Sequence, residues 1–99
     1  MFNNKTILIT GGTGTFGSSL LSYIINNYKP KKIIIFSRDE FKQFHLSEKL
    51  KHHKNFNKIR FFLGDVRDYQ RLLIAFKDVD FVIHAAALKY VDIAEYNPI

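Results

Sequence analysis

Thr6-Ile7-Leu8-Ile9-Thr10-Gly11-Gly12-Thr13-Gly14-Thr15-Phe16-Gly17 runs a β-branched apolar segment straight into a glycine-rich turn. Its first five residues read as a buried strand that the paired glycines end. Beyond them Phe16, Leu20, Leu21, Ile24 and Ile25 recur at helical spacing, until Asn26-Asn27-Tyr28-Lys29-Pro30 stops the helix. Outward from there the alternation repeats. Lys32-Ile33-Ile34-Ile35-Phe36, Ile59-Arg60-Phe61-Phe62-Leu63 and Asp80-Phe81-Val82-Ile83-His84 are three more strands. The helices between them are Glu40 to about His52, with Phe41, Phe44, Leu46 and Leu50, and Arg67 to Phe76, with Leu72, Leu73 and Phe76 inward. A last helix is expected from near Tyr90. Strands that are apolar throughout, rather than alternating, belong to a sheet covered on both faces. Interleaved with helices, they predict right-handed βαβ units in an α/β fold with a doubly wound parallel sheet.

Composition bounds the function classes. The chain has 99 residues, 46% hydrophobic and 15% aromatic, enough for one small unit and too apolar for a disordered tail. No apolar run approaches the roughly 18 residues that cross a bilayer. Met1-Phe2-Asn3-Asn4-Lys5 leads directly into a strand with no small-residue cleavage site, so no secretory signal is expected. Without cysteine there is no disulfide framework, thiolate metal site or cysteine nucleophile, which fits a cytoplasmic protein. The net charge is +6, and ten of the fifteen lysines and arginines fall within residues 29–60, against three carboxylates. A block of that kind suits polyphosphate ligands, nucleic acid or acidic membrane surfaces, and equally a solvated lysine-rich face. It contains no nucleic-acid motif, and no nucleic-acid partner is expected.

Chemistry concentrates at the first turn. Gly12-x-Gly14-x-x-Gly17 overlaps Gly11-x-x-Gly14-x-x-Gly17 and lies where a dinucleotide-binding motif must lie, between a strand and the start of a helix. The early glycines permit the turn, Gly14 admits a pyrophosphate close to the backbone, and Gly17 lets the helix pack near the sheet. The helix N-terminus then offers unpaired N–H groups to phosphate. A Rossmann-type sheet follows. The triphosphatase loop is disfavoured, because Gly17-Ser18-Ser19 lacks its lysine. At the end of the second strand Phe36-Ser37-Arg38 stands where an NAD enzyme places an acid. A hydroxyl and a guanidinium there suit a 2′-phosphate, with Lys42 as an added charge. NADP is thus favoured over NAD, although Asp39 is placed to serve a ribose hydroxyl. Ser37-x-x-Glu40 also reads as a capping box. In Gly64-Asp65-Val66-Arg67-Asp68, Asp65 is expected to accept from the adenine amine and Val66 to cover its ring, while Asp68 reads as a helix N-cap. His84 is expected to be a packed strand-end histidine. Tyr28-x-x-x-Lys32 is a decoy: Pro30 splits it between a helix and a strand.

These segments together, with His84-Ala85-Ala86-Ala87-Leu88-Lys89 and Ala94-Glu95-Tyr96-Asn97-Pro98, resemble the extended short-chain dehydrogenase/reductases of bacterial polysaccharide biosynthesis. The likeness is strongest to the inverting sugar-nucleotide 4,6-dehydratases of the pseudaminic-acid pathway, and it covers essentially the whole chain. It implies an NADP site at Thr13, Gly14, Thr15, Phe16, Ser37, Arg38, Asp39, Lys42, Asp65, Val66 and Ala86, with Lys89 near the nicotinamide and sugar. It implies a UDP-sugar substrate oxidised at C4, dehydrated across C5 and C6, reduced at C6 and reprotonated at C5 from the opposite face. A homo-oligomer is implied as well.

The family's acid/base residues and sugar-nucleotide domain have no counterpart within residues 1–99. The chain is therefore expected to be the N-terminal part of a Rossmann domain, inactive alone, with an exposed sheet edge prone to self-association. The alternatives are a related sugar-nucleotide epimerase or reductase, or a non-catalytic nucleotide-binding module.

Overall fold

A computed structural model of the chain describes residues 1–11 and 13–85. Along the chain come β1 (Thr6–Thr10), α1 (Thr15–Asn27), β2 (Lys32–Ser37), α2 (Glu40–Leu50), a 3-10 turn (Phe56–Lys58), β3 (Ile59–Leu63), α3 (Tyr69–Phe76) and β4 (Phe81–His84). The four strands form one sheet in the order β3-β2-β1-β4, and every neighbouring pair is parallel. Ile9 aligns with Ile35 on one side and Ile83 on the other. The expected α/β architecture is thus present. The helix expected from Tyr90 lies outside the described residues.

Alternate residues of each strand point to opposite faces, and both faces are covered. Ile7, Ile9, Ile33, Ile35 and Ile83 pack against Leu21, Ile24 and Ile25 of α1 and Leu46 and Leu50 of α2. Leu8, Ile34 and Phe36 pack on the other face against Ala75, with Leu72 and Phe76 of α3. That two-sided cover is why β1 shows no polar alternation: all five of its residues are buried. Each fully buried Ile or Leu side chain contributes about 1.5–3 kcal/mol relative to exposure.

Two helices turn differently from expectation. On α2 the buried residues are Gln43, Leu46 and Leu50, while Phe41 and Phe44 are exposed and stack edge-on against His45. A polar residue takes the inward place because its amide finds backbone partners at the strand ends. α3 starts two residues later than predicted, at Tyr69; Ala75 is buried with Leu72 and Phe76 against the sheet, and Leu73, off that i, i+3, i+4 stripe, is half exposed. Asp80 likewise stands just before β4 rather than in it. Its carboxylate accepts from the Thr6 backbone N–H at 2.9 Å, and its own N–H donates to the Thr6 carbonyl at 2.8 Å. Asp80→Ala is therefore expected to lower stability by about 1 kcal/mol, read as a lower urea midpoint; an unchanged midpoint would show that the bond adds nothing net.

The chain passes from β1 outward to β2 and β3, then crosses back to place β4 on the other flank of β1. That reversal leaves the loop after β1 at a topological switch point, where such sheets bind ligands outside the carboxyl ends of their strands.

Candidate functional site

Gly11 carries the turn out of β1 with φ at 69°, in the left-handed region that glycine enters without a steric cost. Its N–H donates to the Phe36 carbonyl at 2.9 Å, and its carbonyl accepts from the Gly14 N–H at 3.1 Å. Gly14 is the N-cap of α1 and has no side chain to cap it, and the first turn holds no acid. The other two α-helices differ: Asp39 accepts from Lys42 N–H at 3.0 Å, and Asp68 from Arg71 N–H at 3.2 Å. The first-turn N–H groups of α1 are therefore left for another acceptor. Among the described residues, a Cβ built at Gly14 meets nothing nearer than the Gly11 carbonyl oxygen at 3.5 Å, so nothing in their packing requires glycine there.

Asp68 is the N-cap the sequence suggests, but the capping box at Ser37 is not formed. Asp39 caps α2 instead, because it stands directly before the helix and brings a full negative charge to the positive end of the dipole. Ser37 remains the last residue of β2, buried, with its Oγ accepting from Gln43 Nε2 at 3.0 Å.

A cleft of about 560 Å³ opens at the carboxyl ends of β1, β2 and β3. The structure brings Gly11, Thr13, Ser37, Arg38, Asp39, Lys42, Asp65 and Val66 together around it. Gly14 and Thr15 line an adjoining hollow that shares Thr13 and Lys42. Phe16 and Gly17 line neither: Phe16 is half exposed and Gly17 is buried in the first turn of α1. Ala86 and Lys89 lie outside the described residues, as does Gly12.

Phe36, Gly64 and Arg67 also line the cleft and are not among the expected site residues; of these Arg67 carries charge, within the segment 64–68 that drew attention. Its Nη2 donates to Asp65 Oδ2 at 2.8 Å, its Nε to both carboxylate oxygens, and its backbone N–H to Oδ1. Arg38 Nη1 donates to the same carboxylate at 3.3 Å. Both guanidiniums are mostly exposed, at 71% and 77%, so these pairs add little to stability. What they do is aim two cations at the cleft. The hydrogen bonds from Arg67, with Arg38 adding to them, hold the Asp65 carboxyl well below the usual carboxylate range. A depressed carboxyl stabilises fully above about pH 4 and loses its contribution only as acid takes the pH below that range.

His84, paired with Thr10 across β1 and β4, hydrogen-bonds the Thr10 hydroxyl through Nδ1. The basic block does not form one face. Arg38 and Lys42 stand at the carboxyl end of the sheet, while Lys29, Lys31, Lys54 and Lys58 surround a hollow at the amino end. Tyr28 and Lys32 fall on separate elements, as Pro30 requires. Among the described residues no helix is long and apolar enough to cross a membrane, and no cluster of three or more metal-ligating side chains is present.

A family profile described as polysaccharide biosynthesis protein matches residues 7–99. The chain belongs to this polysaccharide biosynthesis protein family. It is 60% identical over 98 residues to a UDP-N-acetylglucosamine 4,6-dehydratase (inverting) of Campylobacter jejuni subsp. jejuni serotype O:23/36 (strain 81-176), covering 99% of this chain and 28% of that protein. It is 50% identical over 101 residues to a UDP-glucose 4-epimerase of Rickettsia bellii (strain OSU 85-389), again 99% and 28%. The crystal structure of a dTDP-glucose 4,6-dehydratase from Bacillus anthracis in complex with NAD matches with a TM-score of 0.65 and 26% identity. That match covers 85% of this chain and 27% of the dehydratase, and it shows the same Rossmann-type fold. This member of the polysaccharide biosynthesis protein family thus spans 28% of the length of these curated relatives.

Proposed function

We propose that residues 1–99 are the N-terminal, NADP-holding part of an inverting UDP-N-acetylglucosamine 4,6-dehydratase. One observation carries the reading: the uncapped N-terminus of α1 opens beside a cleft edged by Arg38 and Lys42. The 60% identity to the Campylobacter dehydratase supports the reaction class. The residues present fit a dinucleotide. Room beyond Gly14 and the N–H groups of the first turn of α1 suit a diphosphate. Arg38 and Lys42 supply the positive charge for a 2′-phosphate, and Val66 an apolar edge for adenine. Asp39 uses one carboxylate oxygen to cap α2 and keeps the other for a ribose hydroxyl. Ala86 and Lys89 join the site on the strength of the resemblance. Bound there, NADP supplies the hydride acceptor for C4 and the donor for C6.

Calorimetric titration of the intact protein tests this reading. NADP is expected to bind at least about tenfold more tightly than NAD, and Arg38→Ala to erase most of that margin, as loss of a charge-assisted contact does. Equal affinity, or uptake of neither coenzyme, overturns it. The Rickettsia epimerase supports a second reading on the same scaffold, a UDP-sugar epimerase. The product distinguishes the two, since a dehydratase expels the C6 oxygen as water and an epimerase keeps it.

A further inference from the structure

Gln43 is buried on α2 beside Leu46 and Leu50, with 7% of its surface exposed. Its Nε2 lies 3.3 Å from the Ser37 carbonyl oxygen, 3.2 Å from the Phe62 carbonyl oxygen and 3.0 Å from Ser37 Oγ. Two carbonyl oxygens admit only a donor between them, so the NH2 of the amide occupies that corner. An amide nitrogen cannot accept. Its two protons face three oxygens, one toward the Phe62 carbonyl and one shared between the Ser37 carbonyl and Ser37 Oγ. Toward Oγ the amide therefore donates, and the single proton of the Ser37 hydroxyl must go elsewhere. That proton has no acceptor among the described residues, and Ser37 lines the cleft next to Arg38 and Lys42.

We propose that Gln43 is a positioning residue for coenzyme choice: by donating to Ser37 Oγ it turns the hydroxyl into an outward donor aimed at an anionic oxygen. An O–H donor bonds a phosphate oxygen more strongly than a ribose hydroxyl, because the acceptor is charged. Backbone carbonyls of β2 and β3 clamp the amide, so the direction of donation is built into the sheet. The inference rests on the NADP reading above and extends it from the charged groups to a buried one.

The test measures NADP and NAD affinities by calorimetry on the intact protein and its Gln43→Met, Ser37→Ala and doubly substituted variants. Gln43→Met, which fills the same space without a donor, is expected to lower the NADP-to-NAD affinity ratio about tenfold. Ser37→Ala is expected to lower it by a similar factor, and the double variant by no more than either alone. A purely structural glutamine would shift the melting temperature while leaving the ratio intact. Gln43→Asn, which keeps the amide but draws it back by one methylene, is the milder second variant and is expected to lose the ratio too. An unchanged ratio in Ser37→Ala or in a folded Gln43 variant, or losses that multiply in the double variant, overturns the proposal. If wild type shows no preference for NADP, the coenzyme reading itself fails; a wild-type preference that survives at position 43 refutes only the role of Gln43.

Discussion

Gly14→Ala is expected to weaken dinucleotide binding by at least about a hundredfold, the loss of one or two hydrogen bonds to a charged phosphate, with little change in melting temperature. The backbone at Gly14 has φ −74° and ψ 176°, a conformation alanine adopts freely. Among the described residues the added Cβ meets only the Gly11 carbonyl oxygen at 3.5 Å, an ordinary contact. Alanine is a poorer N-cap than glycine, but it also loses less chain entropy on folding, so the two effects on stability oppose. On the proposed dinucleotide reading, the methyl instead takes up space between the loop and the diphosphate. Calorimetry with NADP, paired with a thermal melt, separates the outcomes. Wild-type affinity in the variant would show that phosphate does not approach here. A large drop in melting temperature would show that the glycine serves the fold.

Gly64→Ala has the opposite signature. A Cβ there stands 2.8 Å from Phe36 Cζ, 3.0 Å from Phe36 Cε2 and 2.9 Å from Arg71 Cγ. Phe36 cannot retreat: it is fully buried among Leu8, Ile34 and Ala75, and its ring stacks on Phe62 at 5.6 Å. Arg71 is held as well, with its Nε donating to the Leu63 carbonyl at 2.8 Å and its guanidinium 4.4 Å from the Phe62 ring centroid. The backbone is tied too, since the Gly64 N–H donates to the Ser37 carbonyl at 2.8 Å. Overpacking a site of this kind typically costs about 1–3 kcal/mol. A lower urea midpoint is expected, together with weaker coenzyme binding, because Asp65 and Val66 follow directly. An unaltered midpoint would mean that Phe36 has room to move.

Much of the site was legible from residue type and order. Gly11 after a β-branched run, Ser37-Arg38 at the end of the next, and Asp65-Val66 at the end of the third all meet at one cleft, with Gly14 in the adjoining hollow. That convergence follows from parallel strands, which bring every strand-to-helix turn to the same edge. What misled was local pattern where two answers compete. Ser37 and Asp39 both have capping side chains, and only the point where β2 ends shows which one stands at the helix start. Phe41 and Phe44 form an apolar pair as persuasive as Leu46 and Leu50, yet the inward face includes Gln43. Its amide is satisfied only by carbonyls from two different strands, which no window along the chain brings together.

Periodicity and glycine placement by themselves determined four parallel strands, intervening helices and a glycine turn between β1 and α1, because these depend on contacts within about one turn or one strand. Tertiary structure alone decided that β4 crosses to the far flank of β1, that Arg67 and Arg38 share the Asp65 carboxylate, and that the lysines divide between two ends of the sheet. The reason is distance along the chain: Arg38 and Asp65 are 27 residues apart in sequence, and only the sheet brings them within 3.3 Å.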